Sequence, residues 1–393
     1  MIINVYSAMI NRMPQKRCRI LFVTSFDVRL IDSVKTDGSM LRLLKDFLLR
    51  YEDLCDLFLF TGDTSKFDLA PAIEHVPSAL FEKFGLWHFS YVALSTFRIA
   101  KRLKGNALVR GISAACPGAI VAAKAKKKPS IVFYEYNWAD QVTHVNKGRI
   151  LGTVARLIEN YVIRNADVLV TRNQSLEKEL RERGAKRVEI IPLTFDEDIF
   201  KPGIDVTELK KTYSVRDEKV LMYIGRLHAV KRLDLLLKAA AQLPEHFKLF
   251  IVGSGALENE LKDMTKSLGI ADKVIFTGAV QYSDVPKFMN MADLIVMTSS
   301  TEGQPRVLIE AMCCGTPAVG TNVLGIRDTV DDGVTGYVAS DDPDDIARKI
   351  SEALANDAFP QMCRSVALEK YSNEACASKE KALCKELLAL DSN

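Results

Sequence analysis

Residues 298–321 run TSSTEGQPRVLIEAMCCGTPAVGT, opening on the last two residues of the apolar run LIVMTS (294–299) and ending in a second run, PAVGT (317–321). The order is strand, loop, helix, strand, the repeating unit of a parallel sheet wrapped by helices. Within it, Glu302 and Glu310 stand eight residues apart, on either side of Gly303, Pro305 and an apolar-periodic helix. Proline suits a first helical position, because its missing N–H would have no partner there. A helix starting near Pro305 leaves the amides of Arg306, Val307 and Leu308 at its positive end, where anions and phosphate bind. Two carboxylates beside such a cradle would repel a phosphate but suit neutral hydroxyls on either side of it. A sugar–diphosphate–nucleoside has that layout.

The same alternation occurs twice along the 393 residues, too long a chain for one ordinary core. In the first half, RILFVTSF (19–26), DLFLFTG (56–62), SIVFYEY (130–136), DVLVT (167–171) and VEIIPL (188–193) read as strands. In the second, KVLMYIG (219–225), KLFIVG (248–253) and KVIFTG (273–278) precede the two strands that bracket Glu302 and Glu310. FDEDIFKPGIDVTELKK (195–211) is polar, contains Pro202 and Gly203, and reads as the linker. The expected division is 1–200, 201–372 and a C-terminal helix over 373–393.

In doubly wound sheets, ligands bind at the carboxyl ends of the strands. In the second half those ends carry Gly225, Arg226 and Lys231 in GRLHAVK, then Gly253-Ser254-Gly255, then Gly278-Ala279-Val280, then the Glu302 segment. Gly225 permits close backbone approach, and Arg226 and Lys231 supply two cations for a diphosphate. Taken singly, the first is a solvated basic turn and the second a tight strand–helix turn without the third glycine of a dinucleotide fingerprint. All of them fall on one edge of one sheet.

The ordered set GR-x4-K, VGSG, FTG and EG-x-P-x4-EAM, over most of residues 219–340, resembles retaining glycosyltransferases of family 4 (glycosyl transferases group 1), which carry an E-x7-E motif. The resemblance implies an α/β fold of GT-B architecture, two Rossmann-like domains facing each other across a cleft. It also implies a nucleotide-sugar donor of UDP or GDP type, a saccharide or lipid-linked acceptor, no cofactor and no metal. Carried over by position, Arg226 and Lys231 would hold the pyrophosphate and Glu302 the donor sugar's hydroxyls. Glu310 would hold the ribose, with Gly225, Gly253, Gly255, Val280, Gly303 and the backbone of Arg306, Val307 and Leu308 lining the donor. GIRDTVDDGVTGYVA (325–339) reads as scaffold for that loop. A terminal helix in such proteins returns to brace the first domain.

The first half departs from the family. Thr36-Asp37-Gly38-Ser39 has one glycine where two are common, and reads as a functional loop or as a plain turn with a helix cap. After SIVFYEY the family often places a histidine against the donor sugar. Here Glu135 and Asn137 occupy the region, as acceptor or sugar contacts or as a packed strand end beside Tyr136 and Trp138. Residues 79–110 combine Phe81, Trp87, Phe89 and Tyr91 with Lys101, Arg102, Lys104 and Arg110. Such a basic amphipathic stretch suits an anionic membrane surface, or equally a core-facing helix with a charged end.

A net charge of +3 gives no footprint for nucleic acid. No apolar run approaches the roughly 20 residues of a membrane span, and MIINVYSAMINRMPQKRCR is a poor signal peptide. Eight cysteines without C-x2-C pairs suggest reduced thiols and no zinc site. The expected location is cytoplasmic, with peripheral contact at the inner membrane face as an option. Two rival functions share the architecture, a nucleotide-sugar epimerase and a non-catalytic sugar-nucleotide-binding protein.

Overall fold

In a computed structural model, structure is described for residues 18–23, 55–60, 103, 105, 107–112, 117–134, 139, 149–244 and 246–390. Two compact units divide the chain: Met1–Ile191 with Ala377–Asn393, and Pro192–Cys376.

The first unit holds a parallel sheet of β1 (Cys18–Val23), β2 (Cys55–Phe60), β3 (Ala107–Ile112), β4 (Ser130–Phe133), β5 (Val168–Thr171) and β6 (Val188–Ile190), ordered 2-1-3-4-5-6. β3 was absent from the sequence reading and lies at the centre of the sheet. Its ALVRGI run places Arg110 among apolar neighbours. Arg110 is buried, bonded to Glu380 at 2.6 Å and stacked over the Phe133 ring at 3.7 Å. Arg110 is therefore no surface base, which removes the last cation of the stretch 79–110; residues 79–102 lie outside the described residues. Among the described residues, no helix is long and apolar enough to cross a membrane.

The second unit holds β7 (Lys219–Ile224), β8 (Phe247–Val252), β9 (Val274–Gly278), β10 (Leu294–Met297), β11 (Ala318–Thr321) and β12 (Gly336–Ala339). All pairings are parallel and the order is 12-11-10-7-8-9. The inner strands β7, β8, β10 and β11 are almost wholly buried, as expected for a sheet covered on both faces, while the edge strands β9 and β12 are partly exposed. One apolar cluster contains Met222, Phe250, Ile295 and Met312; the other contains Leu221, Leu236, Leu249 and Ile350. Alternate residues of β7 and β8 feed opposite clusters, following the period-2 alternation of a strand.

Phe195 and Phe200, in the stretch read as a linker, are buried in the first of these clusters. Their aromatic rings outweigh the polar composition around them. The helix Asn373–Leu390 begins in the second unit, where the Asn373 amide donates to Glu197, and its later residues belong to the first. There Glu380 meets Arg110, and Glu386 takes a two-pronged bond from Arg187 at 2.5 and 3.0 Å.

Candidate active site

The strand order of the second unit fixes where a site can form. From β7 the chain proceeds outward through β8 and β9, then crosses to β10 on the other side of β7. That reversal makes the carboxyl ends of β7 and β10 the switch point, the place where ligands bind in such sheets. The loops leaving those two ends carry Gly225, Arg226 and Lys231, and Glu302 and Gly303.

The β7 loop is shaped from below. Tyr223, fully buried, donates its hydroxyl to the Arg226 carbonyl at 2.9 Å. A Cβ on Gly225 would lie 2.7 Å from that hydroxyl, so Gly225 makes room for Tyr223. Arg226 is exposed, and its guanidinium has no partner among the described residues. Next comes the 3-10 turn Ala229–Lys231, capped by His228 Nδ1 on the Val230 amide, and Arg232 in the left-handed region at φ 48°.

Two hydroxyl residues just after β10 clamp this turn. Thr298 donates to the carbonyls of Lys231 and Arg232 at 3.1 and 2.9 Å, and Ser300 donates to Val230 through its amide at 2.8 Å. Thr321, at the end of β11, donates to the Ser299 carbonyl at 2.7 Å. The clamp brings Lys231 Nζ to Glu302 Oε1 at 2.5 Å, where Ser299 Oγ also donates at 2.6 Å. The pair is partly buried, with side-chain exposures of 22% and 13%. Expected to serve phosphate and sugar separately, these two residues bond each other. Lysine has three N–H donors, so Nζ retains two, and Oε2 of Glu302 accepts none among the described residues.

The helix beginning the E-x7-E segment spans Arg306–Cys313, with Pro305 outside it as the N-cap residue at ψ 100°. Pro305 is therefore one position earlier than expected. The Leu308 amide is also not available, because it donates to the Pro305 carbonyl at 3.0 Å. Two amides of the expected three, those of Arg306 and Val307, remain without partners among the described residues. Gln304 anchors the preceding loop by accepting from the Leu193 amide at 2.7 Å. Gly325 supports it from beneath: a Cβ there would sit 2.2 Å from the Gly303 carbonyl and 2.5 Å from that of Glu302. A side chain on Gly303 would meet nothing within 4 Å.

Glu310 projects from the second turn and is 4% exposed. Tyr282 donates to its Oε1 at 2.8 Å, and Arg306 lies 3.8 Å from the same oxygen. Burial pushes the Glu310 carboxyl above the usual range, partly countered by Arg306 and by the Tyr282 bond. Burial, then the charge of Glu310, push the Tyr282 phenol up as well. Val280 is half-buried, packed with Tyr282 and Val307 against the apolar cluster under this helix.

Gly253 and Gly255 do something other than approach a ligand. A Cβ on Gly253 would fall 1.9 Å from the Gly225 carbonyl oxygen, and one on Gly255 would fall 2.2 Å from that of Leu227. Gly253 also sits at φ 136°, where side chains are rare. The β8 turn is thus pressed onto the β7 loop and bonded to it through Gly225 N to Val252 O and Leu227 N to Ser254 O. These glycines hold the Arg226 loop in place.

Gly38, Ser39, Glu135 and Asn137 lie outside the described residues. Tyr134 and Ala139 flank the last two, and both donate to Oε1 of the buried Glu159, at 3.0 and 3.3 Å. Arg183 completes that buried group, 2.5 Å from Glu159 Oε2. Thr298, Ser299, Tyr223 and Tyr282 escaped the sequence reading, whereas Gly325 opens the stretch 325–339 read as scaffold for this loop. Of those four, Thr298 and Ser299 alone carried a visible signal, in the hydroxyl run TSST before Glu302.

The family of glycosyl transferases group 1 matches residues 205–370. N-acetyl-alpha-D-glucosaminyl L-malate synthase of Bacillus anthracis is 29% identical over 241 residues, covering 59% of this chain and 62% of that protein. D-inositol 3-phosphate glycosyltransferase 2 of Catenulispora acidiphila is 35% identical over 217 residues, covering 51% of each. The chain thus spans between about half and three fifths of the length of these curated relatives. Among solved structures, Anabaena Alr3699/HepE in complex with UDP superposes with a TM-score of 0.72 at 20% identity, over 94% of this chain and 100% of that one. A glycosyltransferase from Rickettsia africae gives 0.71 at 17% identity, over 95% and 99%. Residues 205–370 thus match the glycosyl transferases group 1 family, within a chain whose two parallel-sheet units have the fold of the GT-B glycosyltransferases that the E-x7-E segment resembles.

Proposed function

We propose that this chain is a retaining glycosyltransferase that moves a sugar from a nucleoside-diphosphate sugar of UDP or GDP type to a saccharide or lipid-linked acceptor, without a metal. The observation that carries this reading is that the segments leaving β7 and β10, neighbours at the switch point of the second sheet, bear Arg226, Lys231, two unpartnered helix amides and the acids Glu302 and Glu310, with Lys231 bonded to Glu302.

The diphosphate is held by Arg226, by the two remaining N–H groups of Lys231 and by the amides of Arg306 and Val307. Lys231 separates Glu302 from the phosphate, so the acid does not repel it. Glu302 is left to accept a hydroxyl of the donor sugar through Oε2, while Glu310 takes the ribose. In the transfer, the bond between sugar C1 and the phosphate oxygen breaks, and the acceptor oxygen bonds C1 from the same face. The acceptor's proton passes to the leaving phosphate. Charge grows on that phosphate, where preorganised donors stabilise it most effectively. No protein nucleophile is needed in this scheme.

The test begins with thermal shifts against UDP, GDP and ADP, with UDP first because Alr3699/HepE was solved with it. Transfer from the matching sugar nucleotide to a panel of acceptors follows, with the anomeric configuration of the product read by NMR. An α-linked product from an α-donor is expected. Inversion at C1 would overturn the retaining assignment, and nucleotide release or sugar epimerisation without acceptor would overturn transfer itself.

A further inference from the structure

We propose that Tyr282 is a positioning residue for Glu310 and so a determinant of how tightly the ribose of the donor nucleotide is held; this rests on the reading of Glu310 given above. Glu310 is almost completely buried, so each of its oxygens needs a partner, and an unmet carboxylate oxygen in such a place is costly. The Tyr282 hydroxyl supplies one at 2.8 Å, and the Arg306 guanidinium, at 3.8 Å, faces the same Oε1. Both protein groups therefore converge on one oxygen. Oε2 has no hydrogen bond among the described residues and is the oxygen left for a ligand's O–H donor. A vicinal diol such as that of ribose supplies two.

Tyr282 is itself held. Its ring meets the buried Phe200 edge-on, with centroids 5.5 Å apart. It follows Val280 in the loop leaving β9, so a side chain from one strand end fixes a carboxylate on the helix that follows another. The carboxyl torsion of glutamate is broad and soft. Without the phenol's O–H, nothing but Arg306, itself partly exposed, would define which oxygen is turned toward the ligand.

The test crosses protein variants with ligand variants. Binding of UDP and GDP, and of their 2′,3′-dideoxy counterparts, is measured by calorimetry for the parent, Tyr282→Phe and Glu310→Ala. The phenylalanine keeps the ring contact with Phe200 and removes only the hydroxyl, and unfolding temperatures confirm that each variant is folded. In the parent, the ribonucleotide is expected to bind at least about tenfold tighter than its dideoxy form. Glu310→Ala should abolish that gap, and Tyr282→Phe should narrow it about fivefold with dideoxy binding unchanged, the size of one lost hydrogen bond. Equal weakening of both ligands by Tyr282→Phe, or no change in either, overturns the positioning role while Glu310 keeps its own. A gap that survives Glu310→Ala, or no gap in the parent, removes the ribose reading and Tyr282 with it. Absence of binding by both UDP and GDP would instead remove the donor assignment.

Discussion

The loops after β7 and β8 look alike in sequence, GRLH and VGSG, each a buried strand ending at a glycine. In the structure they have opposite duties. The β7 loop presents an exposed Arg226 and a clamped Lys231, whereas the β8 turn presents bare backbone to the β7 loop itself. Glycine at a strand end marks close approach, but the sequence does not say to what. Strand order answers that: β7 borders β10 at the switch point, and β8 does not.

Disturbing the packing glycines should have the largest effect. Gly253→Ala combines a Cβ overlapping the Gly225 carbonyl with a forbidden φ, and should destabilise the protein by at least ~3 kcal/mol. Denaturant titration measures this, and donor binding should fall with stability. Were Gly253→Ala to keep its stability and lose only nucleotide binding, the two loops would not differ as described.

Lys231→Ala should do the reverse. Its turnover is expected to fall about 10²–10³-fold, the loss seen when one preorganised donor is removed. Its unfolding temperature should hardly move, since Ser299 still satisfies Glu302 Oε1. Steady-state kinetics alongside calorimetry separate the two effects, and near-parental turnover would sink the diphosphate assignment.

Glu310→Gln sharpens the comparison through pH. The carboxyl of Glu310 is raised in the folded state, so the parent binds its proton more tightly folded than unfolded. Its contribution to stability is present in acid and is lost as pH rises through the folded pKa. Glutamine carries no charge and still accepts from Tyr282. The variant should therefore match the parent in acid and become the more stable of the two as pH rises above the carboxylate range. A stability difference flat with pH would argue against a raised carboxyl. Thr298→Val should have the smallest effect, about 1 kcal/mol for the bonds to the 3-10 turn, with a modest fall in affinity for nucleoside diphosphate.

The second sheet was largely legible because its strands are long apolar runs ended by glycine or by hydroxyl residues. β12 was not, since GYVA is four residues long and follows a loop of similar composition. β3 was missed for a different reason. Arg110 in its middle looks like a surface cation, and only Glu380, 270 residues away in sequence, makes it a core residue. The expected triple amide cradle likewise became a double one, because Pro305 has extended backbone and its carbonyl takes the Leu308 amide.

The chain by itself determined which residues stand at strand ends, that two cations and two acids share one half, and that Glu310 projects from the helix that follows Glu302. Those properties are local: periodicity, charge and turn chemistry act over a few residues. The order of the strands, the bond between Lys231 and Glu302 across 71 positions, and the meeting of Tyr282 with Glu310 were decided only by the folded structure. Each depends on burial, which turns a hydrogen bond of little net value in water into a geometric requirement. No local pattern records which distant group will meet it.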